Sequence, residues 1–421
     1  MKAPKASSQW LLLGALAAWL FLIIPGNLAF SQEQEEQAQA QASRAYVMSN
    51  LAGANTIIVY SRTSDGMLTK IQEVPTGGFG SGPGILPPPL PPFPGPIPLD
   101  SQDAIVLTQD GRFLLAVNPD SNEISSFAVT REGLRLADKI SSGGSFPVSI
   151  SEHRGLVYVA NAGQSPDEFI GSRPSIAGFR LDRLGKFHEI PNSRVIAGGP
   201  DASAADLVFS PDGHQLVMTE LNGNNVDVFQ VSEDGRAHDE VTIPANNRTP
   251  FAAQFRPDGV LTIAETNDIS RRLQVDNGAS LSTYKLSGGK LIPVSKAVPN
   301  NQSAACWVRF TPDGHFAFTI NAGSGTISTF SISPAGVATV LTEVTADTGG
   351  PFSLPIDTDL TPDGKFLYVI SALEGLHGVP QLPLPLNVST IQIYSIGSDG
   401  SLTRIGTVDG LPFTVEGIVV R

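Results

Sequence analysis

Phe310-Thr-Pro-Asp-Gly-His-Phe-Ala-Phe-Thr-Ile-Asn321 decides the fold of this chain. A Pro-Asp-Gly turn opens it, and Phe316, Phe318 and Ile320 then alternate with smaller residues at the period of two that marks a half-buried strand. The unit ends on a turn-forming asparagine. The same reading applies to Phe209–Glu220, Phe255–Glu265 and Leu360–Ser371, to Leu107–Asn118 with Gln109 in place of the proline, and to a degraded copy at Ile150–Asn161. Between these units runs a second class of turn, at Asp65-Gly66, Glu132-Gly133, Leu184-Gly185, Asp234-Gly235, Gly288-Gly289, Ala335-Gly336 and Asp399-Gly400. Glycine there supplies the positive φ of a tight hairpin. A period of roughly 50 residues with all-β content is the signature of propeller blades. Seven outer turns stand against six inner ones. The first unit, from Tyr46-Val-Met-Ser-Asn50, lacks an innermost strand, while Ile418 to Val420 form a strand with no blade of their own. The expected fold is therefore an all-β, seven-bladed β-propeller of four-stranded blades, its ring closed by the C-terminal strand joining the first blade, which also removes exposed sheet edges.

The chain has 421 residues and a formal net charge of -13, with no cluster of Lys or Arg. That balance speaks against nucleic-acid binding, whose affinity comes mainly from cationic contacts to phosphate. Lys2 and Lys5, the apolar run Leu11 to Ile24, and the break at Pro25-Gly26 have the layout of a secretory signal peptide. Residues 1–31 are read as that signal, 32–44 as a polar tether without bulky apolar side chains, and 45–421 as the propeller. Export to a periplasmic or extracellular space is expected, with membrane attachment only if the N-terminal segment stays uncleaved. The expected state is a monomer. Cys306 is the only cysteine, so no intramolecular disulfide can form. Residues 77–98 are rich in Gly and Pro and must leave the blades, because proline cannot donate to a ladder. A second such insertion spans 377–387.

Aligned blades place Asn50, Asn118, Asn161, Glu220, Glu265, Asn321 and Ser371 at one position, the end of the second strand. Asparagine fits a turn through its own side chain. Glu does not, so Glu220 and Glu265 in adjacent blades are the departures from the ring. Two carboxylates at a channel mouth could share a proton, act as acid and base, or hold a divalent cation. Arg248 and Arg309 lie just before and within innermost strands and are candidate anion binders, with Asn161 and Asn321 beside them as candidate substrate contacts. The six histidines form no His-x-His or His-x-x-x-His pair, and neither a metal nor a cofactor is called for.

Ala305-Cys-Trp-Val-Arg-Phe-Thr-Pro-Asp-Gly-His-Phe-Ala-Phe-Thr-Ile-Asn-Ala-Gly-Ser-Gly-Thr-Ile-Ser328 resembles the bacterial lactonase-type seven-bladed propellers. Val157-Tyr-Val-Ala-Asn-Ala-Gly163 and Thr219-Glu-Leu-Asn-Gly-Asn-Asn-Val-Asp-Val-Phe229 support the likeness, which runs from Tyr46 to Arg421. The family includes propeller 6-phosphogluconolactonases and is similar to carboxymuconate-lactonising enzymes. The resemblance implies an acidic lactone as ligand and a set of His, Arg, Glu and Arg around one mouth. The Glu of that set matches Glu220. Where the others would stand, this chain has Ser145-Phe146, Ala204-Ala205-Asp206 and Asn267-Asp268. Two functions follow as expectations: hydrolysis or isomerisation of a small acidic lactone, or non-catalytic binding of a ligand or protein partner.

Overall fold

The computed structural model describes Met1 and residues 43–421, apart from 83, 86–93, 96–98, 100, 164–172, 200–201, 268–275, 352 and 374–387. The signal and tether regions and the 377–387 insertion thus lie outside the described residues, except that Arg44 already belongs to a strand. Residues 42–421 form one compact unit whose regular structure, among the described residues, is entirely β. Seven blades account for it. Blade six shows the pattern, with Ala305–Phe310 innermost, then Phe316–Asn321, Thr326–Ile332 and Ala338–Asp347. In blade one the innermost place is taken by Ile418–Val420, which pairs antiparallel with Arg44–Met48 in the register Ala45 to Val420, Tyr46 to Val419 and Val47 to Ile418. The closure expected from counting unmatched strands is the one found. Blade three deviates at its outer edge, where Phe187–Glu189 and Val195–Ile196 are two short strands flanking Pro191. Proline removes a ladder donor there and ends the first of them. Within the Pro-rich loop, Gly84–Ile85 pairs with Pro94–Gly95 as a two-stranded ladder separate from the blades.

Apolar side chains pack between neighbouring blades, as where Phe251 of blade five meets Trp307 of blade six edge to face at 5.0 Å. The outer turns are also tied across these interfaces. Tyr368 Oη donates to the Gly66 carbonyl at 2.8 Å, Thr283 Oγ1 to Gly336 at 2.7 Å and Thr329 Oγ1 to Gly400 at 3.1 Å, each reaching from one blade to the outer turn of the next. Tyr158 makes two such bonds, donating to Gly235 O at 2.8 Å and accepting from Ala237 N at 2.7 Å. Tyr158→Phe leaves both buried backbone groups without a partner. It is expected to cost about 1–3 kcal/mol, read as a lower midpoint at unchanged slope in urea unfolding.

At the axis the innermost strands expose their inner edges to one another, and side chains satisfy them. Leu207 N and Phe209 N of blade four donate to Ser149 Oγ and Ser151 Oγ of blade three, and Ala253 N of blade five donates to Asp206 of blade four. Phe310 N of blade six donates to Gln254 of blade five, and Ile418 N and Val420 N of the closing strand donate to Asp357 and Asp359 of blade seven. A sheet edge facing no partner strand needs acceptors of this kind. Ser101-Gln102-Asp103 crosses the axis: Gln102 donates to Ala253 O at 3.2 Å and accepts from Val308 N at 3.1 Å, and Trp307 Nε1 donates to Ser101 O at 2.9 Å. Ser101 and Gln102 are fully buried. The channel is filled at this level.

Candidate functional site

The ring expected at the strand ends exists, but its members are buried inside their blades. Asn321 donates to Thr326 Oγ1 and Ser328 Oγ and accepts from Asn300 Nδ2 at 2.9 Å. Asn118 likewise donates to Ser125 Oγ. Asn161 donates weakly to the Ser142 and Ser175 carbonyls at 3.4 and 3.5 Å, and its Oδ1 has no donor among the described residues. In blades two, six and seven the ring position thus joins the second strand to a polar side chain on the third, whereas Asn50 of blade one donates to Ser81 in the Pro-rich loop.

Glu265 ends the strand Val260–Glu265 in blade five and occupies a closed set of donors. Ser280 Oγ at 2.6 Å, Ser282 Oγ at 2.9 Å and Asn247 N at 3.0 Å all point to its carboxylate. Burial nevertheless pushes its carboxyl above the usual range, with the hydroxyl donors opposing. Arg248 follows Asn247 on the same face and is exposed, its backbone N–H donating to Asn247 Oδ1.

Glu220 ends the strand Gln215–Glu220 in blade four and differs in kind. Asn225 Nδ2 donates to its Oε2 at 2.9 Å, but Oε1 has no donor among the described residues. Strand pairing sets Asp227 opposite Met218, two residues before Glu220. In the other blades this place holds Ser125, Ser282, Ser328 and Gln392, with Ala177 in blade three and Ile57 in blade one. Asp227 Oδ1 accepts from Thr242 Oγ1 at 2.6 Å, and Oδ2 is the second oxygen without a donor. Both residues are fully buried. Burial, reinforced by the Glu220 charge, pushes the Asp227 carboxyl up to about 8. Asp227 thus holds its proton more tightly than an ordinary carboxyl, and that proton is a donor available beside two oxygens that otherwise have none among the described residues. Gly198 and Gly223 stand against it, and a Cβ on either would overlap the Glu220 carboxylate oxygens.

Glu220 and Glu265 therefore occupy separate hydrogen-bond sets rather than one. Arg309 lies elsewhere. Its strand begins at Ala305, opposite Asn321, and Arg309 sits four residues further along, about 13 Å away. There it is buried and bonded to Asp103 at 2.7 Å, with Asp359 at 3.4 Å. Asp227 was invisible to an alignment of second strands alone. Aligning the third strands exposes it, as the only acid in a column that otherwise holds Ser, Gln, Ala177 and Ile57.

A family model described as "Lactonase, 7-bladed beta-propeller" matches residues 27–168. A 6-phosphogluconolactonase of Serratia proteamaculans is 22% identical over 304 residues, covering 70% of this chain and 80% of that protein. Among solved structures, the periplasmic gluconolactonase of Pseudomonas aeruginosa superposes with a TM-score of 0.63 at 16% identity, over 90% of this chain and 99% of the other. A Lactobacillus plantarum protein gives 0.62 at 17% identity, with 90% and 99% covered. The structural likenesses show the fold, and the sequence matches with the repeat register make the chain similar to the lactonase-type seven-bladed β-propellers.

Proposed function

We propose that this protein hydrolyses or isomerises a small acidic lactone, with Glu220 and Asp227 as its acid and base, after export directed by the N-terminal apolar segment. The observation that carries the reading is a pair of fully buried carboxyls, each with one oxygen that has no donor among the described residues, with the Asp227 carboxyl pushed up by burial. In hydrolysis, Glu220 takes a proton from the water that attacks the lactone carbonyl carbon. The ring C–O bond opens, and the pair returns that proton to the departing ring oxygen, ending in its starting state. Arg248, exposed on the adjacent blade, is proposed to line the same mouth and hold the acid group of the substrate.

The test is turnover of a panel of sugar and muconate lactones by the mature chain. Glu220→Gln keeps the shape of the side chain and is expected to lower kcat/KM by about 100-fold or more, while Asp227→Asn removes a limb near pH 8 from the wild-type pH profile. Equal rates in wild type and Glu220→Gln would sink the assignment. Full burial of both ring glutamates favours one other reading, a propeller that binds its ligand without turning it over. Saturable binding of a lactone with no turnover by the wild type selects it.

A further inference from the structure

The degraded repeat of blade three provides a feature that the ring does not use. Its inner turn is a two-residue hairpin loop, Arg154-Gly155, because His153 pairs directly with Leu156. Both loop residues have positive φ, +50° at Arg154 and +84° at Gly155. Asn or Gly suits the first of these places, and a long side chain there is strained. The strain places a guanidinium at a cleft of about 500 Å³ between blades two and three, on the face opposite the Glu220 ring. Arg112, Phe113 and Arg183 line the same cleft. A volume of this size suits a small metabolite.

The acids in the cleft are already engaged. Asp110 accepts from Arg112 Nε at 2.6 Å and from Thr108 Oγ1 at 2.8 Å. Glu152 accepts the backbone N–H groups of Gln109 at 2.8 Å and Gly155 at 2.5 Å. Asp182 accepts those of Leu184 and Lys186 at 2.8 and 2.9 Å, and His188 Nε2 lies 3.1 Å away. Arg154 and Arg183 are exposed and have no hydrogen-bond or ion-pair partner among the described residues. In a protein of net charge -13, this cleft balances three guanidiniums against three carboxylates, and Arg154 and Arg183 are the groups in it left to meet an anion.

We infer that this cleft is a binding site for a small phosphate-bearing ligand, held by Arg154 and Arg183 with Arg112 at its side. Guanidinium forks match phosphate oxygens two at a time, which suits arginine rather than lysine at such a site. The site is independent of the lactone chemistry and lies on the other face.

Isothermal titration calorimetry of the full chain with inorganic phosphate and with glycerol 3-phosphate tests it, with glycerol as the uncharged control. Saturable binding of at least one phosphate is expected, with none for glycerol. Arg154→Gln with Arg183→Gln should weaken it about tenfold or more, and Glu220→Gln should leave it unchanged. Tighter binding of glycerol 3-phosphate identifies a phosphomonoester as the ligand, and equal affinities identify free phosphate. Arg154→Gly guards against misfolding as an explanation: it relaxes the left-handed turn, so Tm should rise while phosphate binding weakens. No saturable binding by the wild type, or wild-type affinity in the double variant, overturns the inference.

Discussion

Replacing Arg309 with methionine is expected to destabilise the propeller by about 3–5 kcal/mol, the usual cost of removing one partner from a buried ion pair. Methionine keeps the packing volume and removes only the cation. Arg309 is the guanidinium among Asp103, Asp357 and Asp359, and these carboxylates hold its own protonation firmly in place. Two of them also accept the backbone N–H groups of the closing strand. Without the cation, Asp357 and Asp359 must take up protons or separate, and either loosens the Ile418–Val420 seam. Two measurements check this. Tm should fall by roughly 5–10 °C at pH 7.5, and amide exchange at Ile418 and Val420 should accelerate more than at Val308 in the middle of the ring. The deficit should shrink at pH 5, where the freed carboxyls can protonate. A variant as stable as wild type at pH 7.5 would show that the aspartates need no counter-charge.

The second large effect is that the wild type should be more stable at pH 5 than at pH 8. Burial pushes Asp359 up to about 6 and Asp357 up to about 7, with Arg309 opposing both. Asp227 stands at about 8, and burial also raises Asp206 well above the carboxylate range. A carboxyl raised in the folded state binds a proton that the unfolded chain has already released. Its contribution is complete below the unfolded value near 4 and is lost as pH rises through the folded value. Together these groups predict a loss of several kcal/mol between pH 5 and 8. Below pH 4 the sign reverses. Turn aspartates such as Asp212 and Asp313 are held low by the Ser210 and Thr311 hydroxyls and must then be protonated to their cost. Urea unfolding across pH 3 to 9 should show a maximum near pH 4–5, and a flat or rising profile from 5 to 8 would contradict the assignment.

The blades were legible because each carries its own turn chemistry and a two-residue period, and the closing strand could be located by counting. Glu220 and Glu265 stood out for the same reason, as exceptions in a repeated column. What each glutamate touches was not legible, because it depends on third-strand partners that the inner repeat does not contain. Ser282 beside Glu265 and Asp227 beside Glu220 give opposite environments to identical residues. Arg309 reads in sequence as a cation near a channel. Its two acidic partners come from blades two and seven, more than 40 residues away in either direction, and nothing local announces them.

The pairing of Ala45 with Val420 also bears on how quickly the ring can form. Blades two to seven are hairpins of local contacts, each able to appear early. Blade one joins segments roughly 370 residues apart, so its completion carries the largest loop-closure entropy in the molecule. A chain lacking that pairing would leave the Arg44–Met48 edge open as a template for other copies. Asp357 and Asp359 of blade seven accept the N–H groups of the closing strand, so the seam that completes the ring is also where its stability answers to acidity.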